Sequence, residues 1–289
     1  MSNDLSRRIL YCDGDCVVVN KMAGEAVEGA GKGMIDLPSL LADQMPGLSL
    51  PPALPVEDAL ALPTAVHRLD VPVSGCTAFA RTGAALRFLN NAFRGPMVEK
   101  RYWAIVEQPK NSGACQWIEE ISSEFVEITH WIQFEPQPSP PAGEGSPLDA
   151  RKNKSFAHNE QGQGRKKAII RCRLAGKGRN YLFLEVDLVT GRHHQIRAQF
   201  EKLGLHIKGD LKYGARRSDK EGGIRLHARS LSFPCMAVGR SSPSNARKVI
   251  VRADPPIIDS LWQAFQDLEP QPSPPAGEGS PSLLTSPKK

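Results

Sequence analysis

Alternation of apolar and polar positions is clearest over 181–190, YLFLEVDLVT, where Leu182, Leu184, Val186 and Leu188 fall on one face. AIIRCRLA at 168–175 alternates in the same way, and the turn-rich AGKGRN between the two predicts an antiparallel hairpin. CVVVN at 16–20 and RYWAIVE at 101–107 carry the β-branched and aromatic residues of further strands. Over 83–94 the period becomes helical, with Leu86, Leu89 and Phe93 as the apolar stripe and Thr82 placed to cap it. A second helix is expected to open near Gly191 and close at Gly204, burying Ile196, Phe200 and Leu203. Strands and helices do not alternate as they do in a doubly wound sheet. The expected class is therefore α+β, a largely antiparallel mixed sheet flanked by helices and loops.

One segment breaks the pattern twice. The 13 residues EPQPSPPAGEGSP occur at 135–147 and again, without a mismatch, at 269–281. Copies of a structural repeat drift and recur at a packing period, and these do neither. Rich in Pro, Gly and Ser, the segment holds no apolar residue larger than alanine and cannot build a core. The polar stretch 148–166 extends the first copy. The expected organisation is one catalytic domain over 1–268, an inserted flexible loop at 135–166, and a disordered tail at 269–289.

Composition narrows the class without deciding it. The 289 residues are 40% apolar and 24% charged, ordinary for a globular protein. No run of 18 apolar residues exists, so no membrane partner is expected, and the opening MSNDLSRRILYCDGDC lacks an apolar signal core. Six cysteines are scattered without tight pairs, which fits idle thiols in a reducing compartment and an expected cytoplasmic location. Net charge is +6, but Arg151 to Arg252 holds 24 Lys and Arg against 7 Asp and Glu. The remainder holds 13 basic and 24 acidic residues. Such a separation suits a face that meets a polyanion, because each neutralised phosphate releases counterions. Salt bridges to the acidic half are the competing explanation.

Two polar clusters stand where chemistry would be placed. Asp70 lies in AVHRLDVPVSGCTAFART, before Pro72 and close to Ser74 and Gly75, in a turn between strand-like pieces. The second cluster, LVTGRHHQIRAQ at 188–199, sets Arg192, His193, His194, Gln195 and Arg197 around a strand-to-helix junction. Basic groups at a helix N-terminus oppose its dipole, so the charge is wanted for a ligand or a buried carboxylate. No pair among His67, His193, His194, His206 and His227 has metal-binding helical spacing, and the adjacent His193 and His194 point about 100° apart. No metal is expected. There is no Gly-Lys-Ser/Thr phosphate loop, and VSGC at 73–76 is not the nucleophile turn of hydrolases.

HRLDVPVSG (67–75), EKRYWAIVE (99–107), LVTGRHHQIRAQFEKLG (188–204), IKGDLKYG (207–214) and RLHARSLSFP (225–234) resemble, in order, the successive motifs of the large-subunit-rRNA and tRNA uridine isomerases. These form one branch of the RNA pseudouridine synthases. ILYCDGDCVVVNKMAGEAVEG at 9–29 resembles their N-terminal stretch, so the similarity runs from about Ile9 to Phe233. Three positions depart from the pattern: Val73 and His193 replace a usual Thr, and Met22 replaces a usual Pro. With the first motif starting near residue 9, no accessory N-terminal RNA-binding domain is expected, and RNA contact falls to the catalytic domain.

The resemblance implies a reaction that detaches uracil from ribose, turns it and rejoins it through carbon. It needs no redox step or group donor, so no cofactor is expected. The partner implied is rRNA or tRNA, whose target base must first be flipped out. Asp70 is implied as the catalytic carboxylate, in a covalent or an elimination route. Arg197 is implied as its partner, since an adjacent guanidinium favours the charged carboxylate. Tyr102 is implied to stack on the uracil. Arg68 is the candidate for filling the vacated space or holding the backbone, with His67, Arg192, His194 and Gln195 as further RNA contacts. A monomer is the default expectation. The alternative is a catalytically silent RNA-binding or ribosome-assembly factor of the same fold.

Overall fold

The computed structural model describes residues 4–29, 36–44, 59–109, 124–135, 153–235 and 247–268. Twelve strands among them form one sheet. In chain order they are β1 (Ile9–Cys12), β2 (Cys16–Lys21), β3 (Ala59–Ala65), β4 (Ser74–Thr82), β5 (Glu99–Glu107), β6 (Val126–Glu135), β7 (Lys154–His158), β8 (Lys166–Lys177), β9 (Tyr181–Leu188), β10 (His206–Ile207), β11 (Leu226–Cys235) and β12 (Arg247–Arg252). The path runs β1-β2-β4-β11-β5-β9-β8-β6-β7, while β3 pairs with β4, β10 with β5 and β12 with β11. Four helices join them: α1 (Leu37–Gln44), α2 (Gly83–Arg94), α3 (Gln195–Lys202) and α4 (Ser260–Gln266). The class is α+β. No helix among the described residues is long and apolar enough to cross a membrane.

Every strand pairing is antiparallel except one. β4 and β11 run parallel, and their ladder is short: His227 faces Ser74 and Ala228 faces Gly75. Gly75 is required there. Its φ is +116°, and a Cβ would lie 2.6 Å from the Ala228 nitrogen and overlap its carbonyl. The Asp70 turn emerges at this seam, between β3 and β4.

Both faces of the sheet are covered. Val17, Val19, Phe79, Val186 and Ile170 pack on one side with Ile196 and Phe200 of α3. On the other, Val18, Ala78 and Ala80 meet Leu89 of α2, and Trp103, Ile105 and Phe183 meet Trp262 and Phe265 of α4. Consecutive residues of β2 thus serve opposite cores, which explains an apolar run without alternation. Thr82 caps α2 by accepting from the Ala85 nitrogen at 3.0 Å.

Two expectations change. α3 opens at Gln195 rather than near Gly191, because His194 sits in the left-handed region at φ 51°. Within the loop expected at 135–166, residues 154–158 form β7, paired with β6 from Trp131–His158 to Glu135–Lys154. Tertiary bonds account for it: the Ser155 nitrogen donates to the Tyr213 hydroxyl at 2.9 Å, and Lys154 pairs with Glu201 at 2.7 Å. Residues 136–152 and the tail 269–289 lie outside the described residues. The basic segment is also less free than its count suggests. Arg173 pairs with Glu185, Arg225 with Asp219 and Asp259, Lys208 with Asp219, and Arg229 with Asp254.

Candidate active site

A cleft of about 570 Å³ opens where the Asp70 turn, β5 and the start of α3 meet. Asp70, Tyr102 and Arg197 all line it, from three elements distant in the chain. Arg197 is itself buried, at 4% exposure. Its Nη1 donates to Asp70 Oδ2 at 2.9 Å. Its Nε and Nη2 donate to the two oxygens of Asp210 at 2.7 and 2.8 Å, a parallel pair of bonds that fixes the guanidinium plane. Burial works against the charge on Arg197, yet the bonds and charge of Asp210, then those of Asp70, push its pKa up. The guanidinium carbon lies 4.7 Å from the centroid of the Tyr213 ring.

The turn beneath Asp70 is bonded at each of its carbonyls. Asp70 accepts from the Val73 nitrogen at 2.9 Å, and Val71 from the Gly24 nitrogen at 2.8 Å. Pro72 accepts from the Ile224 nitrogen at 3.0 Å. Lys21, fully buried at the end of β2, donates its ammonium to the carbonyls of Val71 (3.0 Å), Val73 (2.7 Å) and Met22 (2.9 Å). Burial lowers the Lys21 pKa to about 8, with Glu25 and Asp70 opposing the shift. The Asp70 side chain keeps 24% exposure, and its Oδ1 accepts from no donor among the described residues. One carboxylate oxygen is held, the other has no donor among the described residues, and the side chain lines the cleft.

Tyr102 is nearly buried, and its hydroxyl has no partner among the described residues. Burial, then the charge of Asp70, raises its pKa, so the phenol stays neutral. His194 Nε2 stands 3.7 Å from Asp70 Oδ2. This is no ion pair: burial, with Arg197, His193 and Lys212, lowers the imidazole pKa to about 2. Its Nδ1 is engaged by the Tyr213 hydroxyl at 2.9 Å.

The remaining expected RNA contacts divide. Arg68 and Arg192 are exposed at the cleft, Arg68 with no ion pair among the described residues and Arg192 with its guanidinium Nε bonded to the Lys167 carbonyl at 3.1 Å. His67 forms the wall, stacked on Phe93 at 4.9 Å and accepting from the Ala78 nitrogen at 3.1 Å. Burial, then Lys100, lowers its pKa to about 3. Gln195 turns inward: it accepts from Thr190 and the Arg192 nitrogen, each at 2.9 Å, and donates to the Ile169 carbonyl at 3.1 Å. It shapes the turn before α3 and is 3% exposed.

Sequence reasoning missed Asp210, Tyr213, Lys21 and Lys100. Asp210 and Tyr213 stand inside IKGDLKYG, so the motif was visible while the partners of its side chains were not. The cleft histidines belong to no cluster able to hold a metal among the described residues. One such group does occur elsewhere, Asp13, Asp15 and Cys235. Both Asp13 oxygens there already accept hydrogen bonds, from the Asp15 and Cys16 nitrogens and from Tyr11 and Cys235.

Comparison with known proteins finds relatives along most of the chain. A family profile described as RNA pseudouridylate synthase matches residues 15–202. An uncharacterized RNA pseudouridine synthase of Zymomonas mobilis is 30% identical over 232 residues, 79% of this chain and 88% of the relative. Ribosomal large subunit pseudouridine synthase C of Vibrio cholerae is 28% identical, covering 91% of this chain and 69% of the relative. A tRNA pseudouridine synthase C of Haemophilus ducreyi is 26% identical, covering 88% and 92%. Among solved structures, human RNA pseudouridylate synthase domain containing 4 aligns with a TM-score of 0.59 at 18% identity, covering 91% of this chain and 93% of that one. That likeness concerns the fold.

Proposed function

The chain belongs to the RNA pseudouridylate synthase family, and from that membership we propose that it isomerises uridine to pseudouridine in rRNA or tRNA with Asp70 as the catalytic carboxylate. The observation that carries the reading is the asymmetry at Asp70. One oxygen is fixed by Arg197 at 2.9 Å, and the other has no donor among the described residues, on a side chain that lines the same cleft as Tyr102. The cleft, of about 570 Å³, is taken in this reading to receive one nucleotide, the target uridine entering flipped out of its stack.

In this reading the free Asp70 oxygen acts at the ribose: the C1′–N1 bond breaks, the uracil turns, a C1′–C5 bond forms, and the proton on C5 is lost as N1 gains one. Arg197 holds the carboxylate aimed through its 2.9 Å bond; its own place is set by Asp210. Tyr102 offers the loosened base a flat, uncharged face. Arg68, exposed at the mouth, takes the space the uridine leaves or holds the neighbouring phosphate, and Arg192 holds the backbone at the opposite lip. His194 stays neutral and keeps the Asp70 side of the cleft free of a second charge. Relatives named for ribosomal and for transfer RNA both align along most of the chain, which supports either RNA as substrate.

Asp70→Asn tests the assignment. The variant is expected to form no pseudouridine by chemical mapping while binding RNA within a few-fold of the parent, since the phosphate contacts lie elsewhere. Full activity in Asp70→Asn would defeat the reading.

A further inference from the structure

We infer that His194, His193 and Phe134 form a stacking ridge that receives an unpaired nucleobase beside the target uridine. The inference rests on the reading that the cleft takes an extruded uridine. His193 is the position where the resembling enzymes carry Thr, so the ridge is a property of this chain rather than of the pattern it shares.

The geometry is continuous from inside the cleft to outside it. His194 and His193 line the cleft, their rings stacked at 3.8 Å with 23° between planes. Phe134, at the end of β6 and outside the cleft, meets the His193 ring edge-on at 4.6 Å. Two of the three rings are open to solvent: His193 is exposed, and Phe134 keeps 44% of its surface. An exposed aromatic step is unusual unless something covers it. The His193 ring is not free to swing away, because Ser155 Oγ bonds its Nδ1 at 2.9 Å from β7.

Charge selects the occupant. Lys212, Arg197 and Arg68 all lie close enough to act on the His193 imidazole. With burial as the largest influence, they hold its pKa below the ordinary value against the pull of Asp70, so the ring stays neutral. Arg197 is buried and committed to Asp210 and Asp70, so a flat uncharged face beside the exposed Arg68 suits a base whose phosphate meets that cation. It does not suit an acidic peptide, which would leave the rings uncovered, or an apolar one, which would desolvate the charges. The β6–β7 hairpin thereby gains a role in the site: it brings Phe134 and Ser155 to either side of His193.

The test uses the full chain carrying Asp70→Asn, so that binding is read without turnover. The probe is a short RNA hairpin whose loop holds a uridine flanked by a fluorescent purine analogue. Binding is expected to quench the purine. Adding His193→Thr and Phe134→Ser should remove the quenching and weaken affinity roughly 5-fold to 100-fold, as loss of one stacked base predicts. His193→Phe should restore both, because it keeps a flat ring while losing the bond to Ser155. Unchanged melting of each variant by circular dichroism accompanies the comparison. Equal quenching with and without the ridge overturns the inference, as does His193→Phe behaving like His193→Thr. Quenching absent in the parent, or seen only when residues 136–152 are deleted, also overturns it, since that segment would then occupy the ridge. Failure of the functional reading shows separately, as an absence of any difference in pseudouridine between RNA from cells with and without the gene.

Discussion

Arg197 and Asp210 are joined by two parallel hydrogen bonds of 2.7 and 2.8 Å inside the protein, and Asp70 takes the nitrogen left over. The guanidinium is therefore positioned by a carboxylate that never meets the substrate. Asp70 gains a donor whose orientation does not depend on Asp70 itself.

Asp210→Asn should separate the two roles. It removes the charge opposite Arg197 while leaving an amide of similar shape, and breaking a buried pair costs about 3–5 kcal/mol. We expect a lower melting temperature and a fall in kcat larger than the change in KM, measured by single-turnover pseudouridine formation. Unaltered kcat in a folded Asp210→Asn protein would remove the positioning role.

Lys21 gives a pH signature. Its pKa is about 8 in the fold against an ordinary 10.5. Between those values the unfolded chain binds the extra proton, so stability rises with pH across the window and falls as pH drops through 8. Lys21→Met lacks this titration and leaves the carbonyls of Met22, Val71 and Val73 without their donor, each costing about 1–3 kcal/mol. Thermal melts from pH 7 to pH 10 should show a lower melting temperature for Lys21→Met throughout. The gap should widen toward high pH. A constant gap would mean that Lys21 titrates normally.

Gly75→Ala should be among the least tolerated substitutions in the chain. The methyl group meets the backbone of Ala228, which cannot move without opening the β4–β11 seam, and φ +116° adds its own strain. We expect insoluble protein, or a loss of more than about 3 kcal/mol by urea denaturation. Wild-type stability would show that the two strands can separate at little cost.

Much of the local structure was legible in the chain. Alternation placed the β8–β9 hairpin, and Thr82 with Leu86, Leu89 and Phe93 placed α2, because the signals lie within a few residues of their effects. The start of α3 was misjudged by four residues. The turn before it is held by the Gln195 side chain reaching back to Thr190 and Arg192, a contact that periodicity does not encode. β7 was hidden for a related reason. KSFAH becomes a strand through Tyr213, His193 and Glu201, all far along the chain. At the site, the pairing of Asp70 with Arg197 spans 127 positions and came from the resemblance alone. The role of Lys21 carries no local sequence signal, since its bonds reach carbonyls 50 and 52 residues away.

The ladder between β4 and β11 is only two residue pairs long, and a sheet interrupted there leaves backbone groups to be accommodated. The turn at 70–73 is fastened to β2, to the loop after it and to the approach to β11 at once. Loosening it means breaking bonds to three segments together, so the Gly24, Val73 and Ile224 amides that donate to it should exchange with solvent as slowly as strand interiors do. The wall at 188–194 is tied through the Gln195 side chain and through Ser155 to His193, while the exposed Arg192 guanidinium is bonded to a single carbonyl. On the proposed reading, adjustment to an incoming RNA thus falls on exposed side chains such as Arg68 and Arg192, and the turn that carries Asp70 stays still.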